Sequence, residues 1–145
     1  MSRLLAAGPV AVEVTYQSRL PPAEWRAGTT KPVLVTLRAS NKNKRSQKIY
    51  LTKVTVNVTS FDESGQLDIP QTIVDSANLQ PGFIVTSPNT YNQSFDIPAV
   101  DRAAIRIAID LSYELLLEVS RDDEGIRDLA KQVATDRLSV PIITR

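Results

Sequence analysis

The sequence contains no cysteine and no histidine in 145 residues. Without thiols there is no disulfide and no thiolate nucleophile. Without imidazole there is no Ser-His-Asp triad, no His general base and no Cys/His zinc site. Glycine is scarce, and Gly28, Gly65, Gly82 and Gly125 are scattered, so no phosphate-cradling loop is present. No apolar run approaches the ~18 residues of a membrane span. The Leu4–Ala7 run is too short for the apolar core of a signal peptide. These absences lead to the expectation of a cytoplasmic, non-enzymatic chain with no cofactor, no metal and no membrane. Asn57-Val58-Thr59 and Asn92-Gln93-Ser94 match the glycosylation acceptor pattern, which has no use in that compartment. The length suits one domain, residues 1–145, able to bury ~68% of its extended surface without a staple.

What is present is charge, unevenly placed. The net charge is +1, yet residues 1–60 hold ten Lys/Arg against two Glu, and residues 61–145 hold seven Lys/Arg against fourteen Asp/Glu. The halves are therefore +8 and −7. Such polarity along a chain points to an interaction tail or a polyanion partner more than to a small-molecule enzyme.

The first hundred residues read as strands. Val10, Val12, Val14 and Tyr16 alternate with Ala11, Glu13 and Thr15. Val33, Val35 and Leu37 alternate with Leu34, Thr36 and Arg38. Residues 48–59 repeat the pattern with Val54, Val56 and Val58, and a phase slip between Leu51 and Val54 predicts a bulge or break. Asp62-Glu63-Ser64-Gly65 is a turn signal. A short strand is expected near Thr72–Val74 or Phe83–Val85, and another from Tyr91 to Ile97.

Residues 101–119 fit two readings. Ile105, Ile107, Ile109, Leu111, Tyr113, Leu115, Leu117 and Val119 alternate strictly, as in a strand. The stretch from Ala99 to Glu124 has no Gly or Pro, longer than the usual strand of ~3–10 residues. Asp101 is placed to cap a helix, and Arg102, Arg106, Asp110, Glu114 and Glu118 form a polar stripe every four residues. Length decides for a helix. Ile126, Leu129, Ala130 and Val133 then predict a second helix, with Asp122, Asp123 and Glu124 at its positive end. The expected class is thus α+β: strands over about 9–97, helices over about 101–134, and a tail at 135–145.

The basic set Arg38, Lys42, Lys44, Arg45, Lys48 and Lys53 is the strongest functional signal. Pairing across the turn at 41–46 would bring Arg38 and Lys53 to one face with Thr36, Thr55 and Asn57. A phosphate backbone would favour such a face, and a solvated sheet with Lys-protected edges would also explain it. Asp62-Glu63 and Asp122-Asp123-Glu124 lack the spacing of a cation loop and read as a turn and a helix start. Trp25 reads as a packing anchor. Tyr91 and Phe95 read as core, which turns Asn92 to the polar face.

These residues resemble the coat proteins of single-stranded RNA bacteriophages. Ala23-Glu24-Trp25 precedes a strand ending at Arg38. The basic turn Ser40–Arg45 leads through Lys48-Ile49-Tyr50 to Lys53–Val58, like the family's central hairpin. Ser94-Phe95-Asp96-Ile97-Pro98 and Asp101–Arg106 look like its last strand feeding its first helix, and Ile126–Val133 like its second. The resemblance covers roughly residues 10–134. It implies an N-terminal hairpin, an antiparallel sheet and two C-terminal helices, with two chains interlocked in a dimer. It further implies an icosahedral capsid around single-stranded RNA, located in the virion and, during assembly, in the host cytoplasm. Carried over by position, the RNA-binding residues are Thr36, Arg38, Lys53, Thr55, Asn57 and Asn92. The competing expectation is a monomeric all-β immunoglobulin-like sandwich with a binding or stress-protective role, resembling the water-stress proteins of the late-embryogenesis class. It reads 105–119 as a long strand and 138–143 as the last one.

Overall fold

The structure is a computed structural model that describes residues 1–42, 47–67, 69–121 and 127–143. Ten strands are described: β1 (Ser2–Ala7), β2 (Val10–Gln17), β3 (Lys31–Asn41), β4 (Ile49–Asp62), β5 (Gly65–Gln66), β6 (Gln71–Ser76), β7 (Phe83–Ile84), β8 (Tyr91–Ile97), β9 (Arg106–Arg121) and β10 (Arg127–Pro141). A single 3-10 turn, Pro22–Glu24, is the one helical element among the described residues. One sheet has the order β1-β2-β3-β8. The other runs β10-β9-β4, with β5, β6 and β7 all pairing along the far side of β4. Every pairing between named strands is antiparallel.

The period-two segments became strands because alternation gives each of them one apolar face. Val10, Val12, Val14 and Tyr16 of β2, and Val33, Val35, Leu37 and Ala39 of β3, are buried. They face Val54, Val56 and Val58 of β4 across the sandwich, and the buried residues of both sheets form one hydrophobic cluster. The phase slip in β4 is a register shift against β9 between Leu51 and Lys53. The acidic turn forms as expected: the Ser64 and Gly65 amides donate to Asp62 Oδ1 at 2.7 and 3.1 Å. Both candidate short strands exist, as β6 and β7. Gly82, beside β7, has a φ of +148° and sits so close to β4 that a Cβ there would lie 2.7 Å from the Leu51 carbonyl oxygen.

The α+β expectation is overturned: no C-terminal helix forms. Residues 106–121 are β9, central in its sheet between β4 and β10. Ile107, Ile109, Leu111, Tyr113, Leu115 and Leu117 are all at most 3% exposed, so the strict alternation was the true signal. Length misled because β9 has two long neighbours, β4 of 14 residues and β10 of 15, along which a 16-residue strand stays paired. The four-residue polar stripe did not discriminate. A spacing of four is one helical turn and equally two strand repeats, so Arg106, Asp110, Glu114 and Glu118 share a face in either conformation. Asp101 does cap backbone, but only a turn: its Oδ1 accepts the Ala103 amide at 2.8 Å.

The second expected helix, 126–133, is replaced by the start of β10; Ile126 itself and the acidic run Asp122–Glu124 lie outside the described residues. Leu129 and Val133 share the outward face of β10 and are partly exposed, whereas Ala134 and Leu138 point inward and are buried. The i, i+3, i+4, i+7 pattern was thus a coincidence of an exposed and a buried set. The expected tail, 135–145, is mostly β10 and continues to Ile143, whose amide donates to the Trp25 carbonyl at 2.8 Å. With strands in place of helices, the helix-clasped dimer of the coat-protein fold has no counterpart in this architecture.

Candidate functional site

The six residues expected to face RNA divide between two surfaces. Thr36, Arg38 and Asn92 lie on the outer face of the β1-β2-β3-β8 sheet. Lys53, Thr55 and Asn57 lie on the outer face of the other sheet. The chain crosses from one sheet to the other between β3 and β4, so the hairpin that would have joined Arg38 to Lys53 does not form. In the first trio Thr36 donates to Asn92 at 2.8 Å, whereas in the second Asn57 bonds outside the set, accepting from Thr72 of β6 at 2.6 Å.

Carboxylates stand beside both cations. Arg38 pairs with Glu13 at 3.0 Å, because Glu13 is its register partner on β2. Lys53 pairs with Glu114 at 3.8 Å, its register partner on β9, and Lys131 reaches the same carboxylate at 3.6 Å. Arg137 pairs with Asp110 at 3.0 Å. These exposed pairs contribute little to stability, typically under ~1 kcal/mol each. Their effect is on potential: each outer face is close to neutral where a basic face was expected. Lys44 and Arg45 of the basic turn lie outside the described residues.

A polar cluster is built into the sandwich instead. Tyr16 on β2 donates to Asp136 Oδ2 on β10 at 2.9 Å, and its oxygen lies 2.8 Å from the Tyr113 hydroxyl on β9. With the Tyr16 proton committed to Asp136, Tyr113 is the donor in that second bond. Asp136 Oδ1 also accepts the Arg137 amide at 2.8 Å and Arg3 Nη1 on β1 at 3.1 Å. Four strands from both sheets are thereby joined. On the opposite side Tyr91 of β8 donates to Asp75 of β6, again linking the two sheets. Lys31, fully buried, donates to the Thr29 carbonyl at 2.6 Å and closes the turn before β3; burial lowers its pKa.

Burial pushes the hydroxyls of Tyr16, Tyr91 and Tyr113 well above the ordinary tyrosine range, and the neighbouring Asp136 and Asp75 add to the shift at Tyr16 and Tyr91. The folded state therefore holds these protons more tightly than the unfolded chain. Their contribution to stability is complete below about pH 10, the ordinary tyrosine value, and is lost as pH rises above it. In an alkaline titration, phenolate absorbance from these three residues is expected to appear only together with loss of β-structure. Their smooth, reversible ionisation near pH 10 in a folded protein would contradict the buried cluster.

Beside this cluster an open cleft of about 790 Å³ lies at one end of the sandwich. Its walls come from Tyr16–Arg19 at the end of β2, Pro22 and Trp25, Pro32–Leu34 at the start of β3, and Leu138–Val140 at the end of β10. Met1, Arg3 and Ser94 complete it. Most of this wall is apolar, and Trp25 is fixed by its indole N–H, which donates to the Leu20 carbonyl at 2.9 Å. No Asp or Glu among the described residues lines the cleft. Trp25 is the packing anchor expected of it, only 2% exposed, and at the same time a wall of the cleft. The other lining residues were missed because they come from six separated stretches with no motif among them. Among the described residues no cluster of His, Cys, Asp and Glu could hold a metal ion.

The architecture defines the class: an antiparallel β-sandwich whose order β2-β3-β8 against β10-β9-β4-β6 is that of immunoglobulin-like domains. No family model matches the chain, and no curated protein matches it. Among solved structures it is similar to pT26-6p, with a TM-score of 0.56 at 15% identity, over 97% of this chain and 33% of that one. The sandwich thus corresponds to about a third of pT26-6p, and the likeness is one of fold. A Bordetella pertussis protein provisionally named ApaA has a TM-score of 0.49 at 12% identity, covering 92% of this chain and 93% of that one. The structural-genomics target SoR45 has a TM-score of 0.48 at 11% identity, covering 94% and 89%.

Proposed function

We propose that this chain is a non-catalytic binding module that receives the apolar part of a ligand in the cleft at the end of the sandwich. The observation that carries the reading is the cleft itself. Its 790 Å³ falls within the ~300–1,000 Å³ of small-molecule sites, and its wall joins Trp25, Pro22, Leu34, Leu138 and Val140 to a few polar groups. The capsid and RNA expectations lose the two features that carried them, the C-terminal helices and a basic face without carboxylates.

The test is a fluorescence titration with N-phenylnaphthylamine, a neutral apolar probe. Saturable binding with one site per chain is expected, with energy transfer from Trp25. Val140→Trp enlarges a half-buried side chain of the wall and should weaken binding about tenfold or more while the β-sheet spectrum is kept. Absence of saturable binding, or equal binding by the filled variant, would overturn the proposal.

A further inference from the structure

We infer that the ligand of this cleft is an amphipathic monocarboxylate, with its apolar part against Trp25, Leu138 and Val140 and its carboxylate on the Arg19 guanidinium. The inference rests on the cleft being a binding site and adds the ligand's charge and the residue that reads it.

Charge balance is the first ground. Arg3 and Arg19 line the cleft alongside Met1, whose ammonium donates to the Tyr16 carbonyl at 3.0 Å, and no Asp or Glu among the described residues does. Arg3 is answered from behind by Asp136 at 3.1 Å, so that pair is close to neutral. Arg19 makes no ion pair among the described residues. On the outer sheet faces the opposite holds, since Arg38, Lys53, Lys131 and Arg137 each have a carboxylate within 4 Å. The cleft mouth is thus a place where a positive charge has no carboxylate partner among the described residues, beside an apolar wall.

Placement is the second ground. Ser18 Oγ donates to the Leu20 carbonyl at 2.7 Å, and the Trp25 indole donates to the same oxygen at 2.9 Å. The backbone on either side of Arg19 is therefore tied to the Trp25 wall, and Leu20 packs against the core. Arg19 is carried by a turn that the cleft's own aromatic residue holds. A guanidinium presents a planar fork that matches a carboxylate bidentately. An acyl or aryl chain attached to that carboxylate would then run along Trp25 toward Leu138 and Val140. A neutral chain would gain only the apolar contact, and a cationic one would meet repulsion from Arg19.

Displacement of N-phenylnaphthylamine at neutral pH tests this with three probes of one chain length: decanoate, decanol and decylammonium. Decanoate is expected to displace the probe at about tenfold lower concentration than decanol, the size of one charge-assisted hydrogen-bonded contact. Decylammonium should be the weakest. Arg19→Gln should remove the advantage of decanoate, read as the ratio of decanoate to decanol displacement within the same variant; as Arg19 is exposed, the variant should fold. Equal displacement by decanoate and decanol would overturn the carboxylate inference while leaving the cleft as an apolar site. An unchanged preference in Arg19→Gln would overturn the assignment to Arg19. Failure of the neutral probe to bind at all would remove the binding-module reading and this inference with it.

Discussion

Leu115→Ala is expected to lower stability by about 3–4 kcal/mol, and Leu116→Ala by less than about 1 kcal/mol, in denaturant unfolding. The two residues are neighbours of the same type, so composition and helix or strand propensity cannot separate them. Their parity in β9 does. Leu115 is fully buried among the inward residues Tyr113 and Leu117, whereas Leu116 belongs to the partly exposed outer face. Truncating Leu115 leaves a cavity between two sheets that are each pinned by long ladders, so the walls collapse only in part and the cost lies toward the upper end of the usual range. A helix apolar on nearly every side would make both truncations costly. Large losses at 109, 111 and 115 with small ones at 110, 112 and 116 are the signature of the strand, and comparable losses at 115 and 116 would contradict it.

Asp136→Ala is expected to cost about 3 kcal/mol, lowering the melting temperature by roughly 10 °C for a domain of this size. The loss comes mainly from the Tyr16 hydroxyl, which stays between the sheets with its acceptor gone, while Tyr113 keeps the Tyr16 oxygen as its acceptor. The ion pair contributes less. Arg3 has 40% of its side chain exposed and can turn to water, so Arg3→Ala should cost under about 1 kcal/mol. Asp136→Asn keeps an acceptor for Tyr16 and should fall between the two. Tyr113→Phe removes a donor rather than an acceptor and should cost about 1 kcal/mol. If Arg3→Ala were as damaging as Asp136→Ala, the charge pair and not the tyrosine chain would be the stabilising element.

The legible parts of the fold are those in which one periodicity stands alone. β2, β3 and β8 were readable because their apolar residues fall two apart and end at turns or prolines. The register shift in β4 was readable because a bulge must displace that phase. In β9 two periodicities overlapped. The residues Arg106, Asp110, Glu114 and Glu118, four apart, satisfy both helix and strand, and a length rule drawn from ordinary strands settled the choice wrongly. In β10 the apparent helical set mixed Leu129 and Val133, which face out, with apolar residues on the other face.

The charge split was read correctly as a number and wrongly as a surface. A stretch of chain is a face only if its neighbours in space come from the same stretch. Here β4 is zipped against β9, so Lys53 meets Glu114, and Arg3 meets Asp136 from the far end of the chain. Arg38 finds Glu13 within its own half. The pairs Arg3–Asp136 and Lys53–Glu114 thus join the +8 half to the −7 half.

By itself the sequence determined which residues alternate, where the turns fall, and which chemistries are closed to a chain without Cys or His. These are local properties, set by side-chain period and residue type. Only the tertiary structure decided that 106–121 is a strand, because the length a strand can sustain depends on the partners that pair with it. Only the tertiary structure assembled the cleft, since Arg3, Arg19, Trp25 and Leu138 meet through strand order and sandwich closure rather than through spacing along the chain.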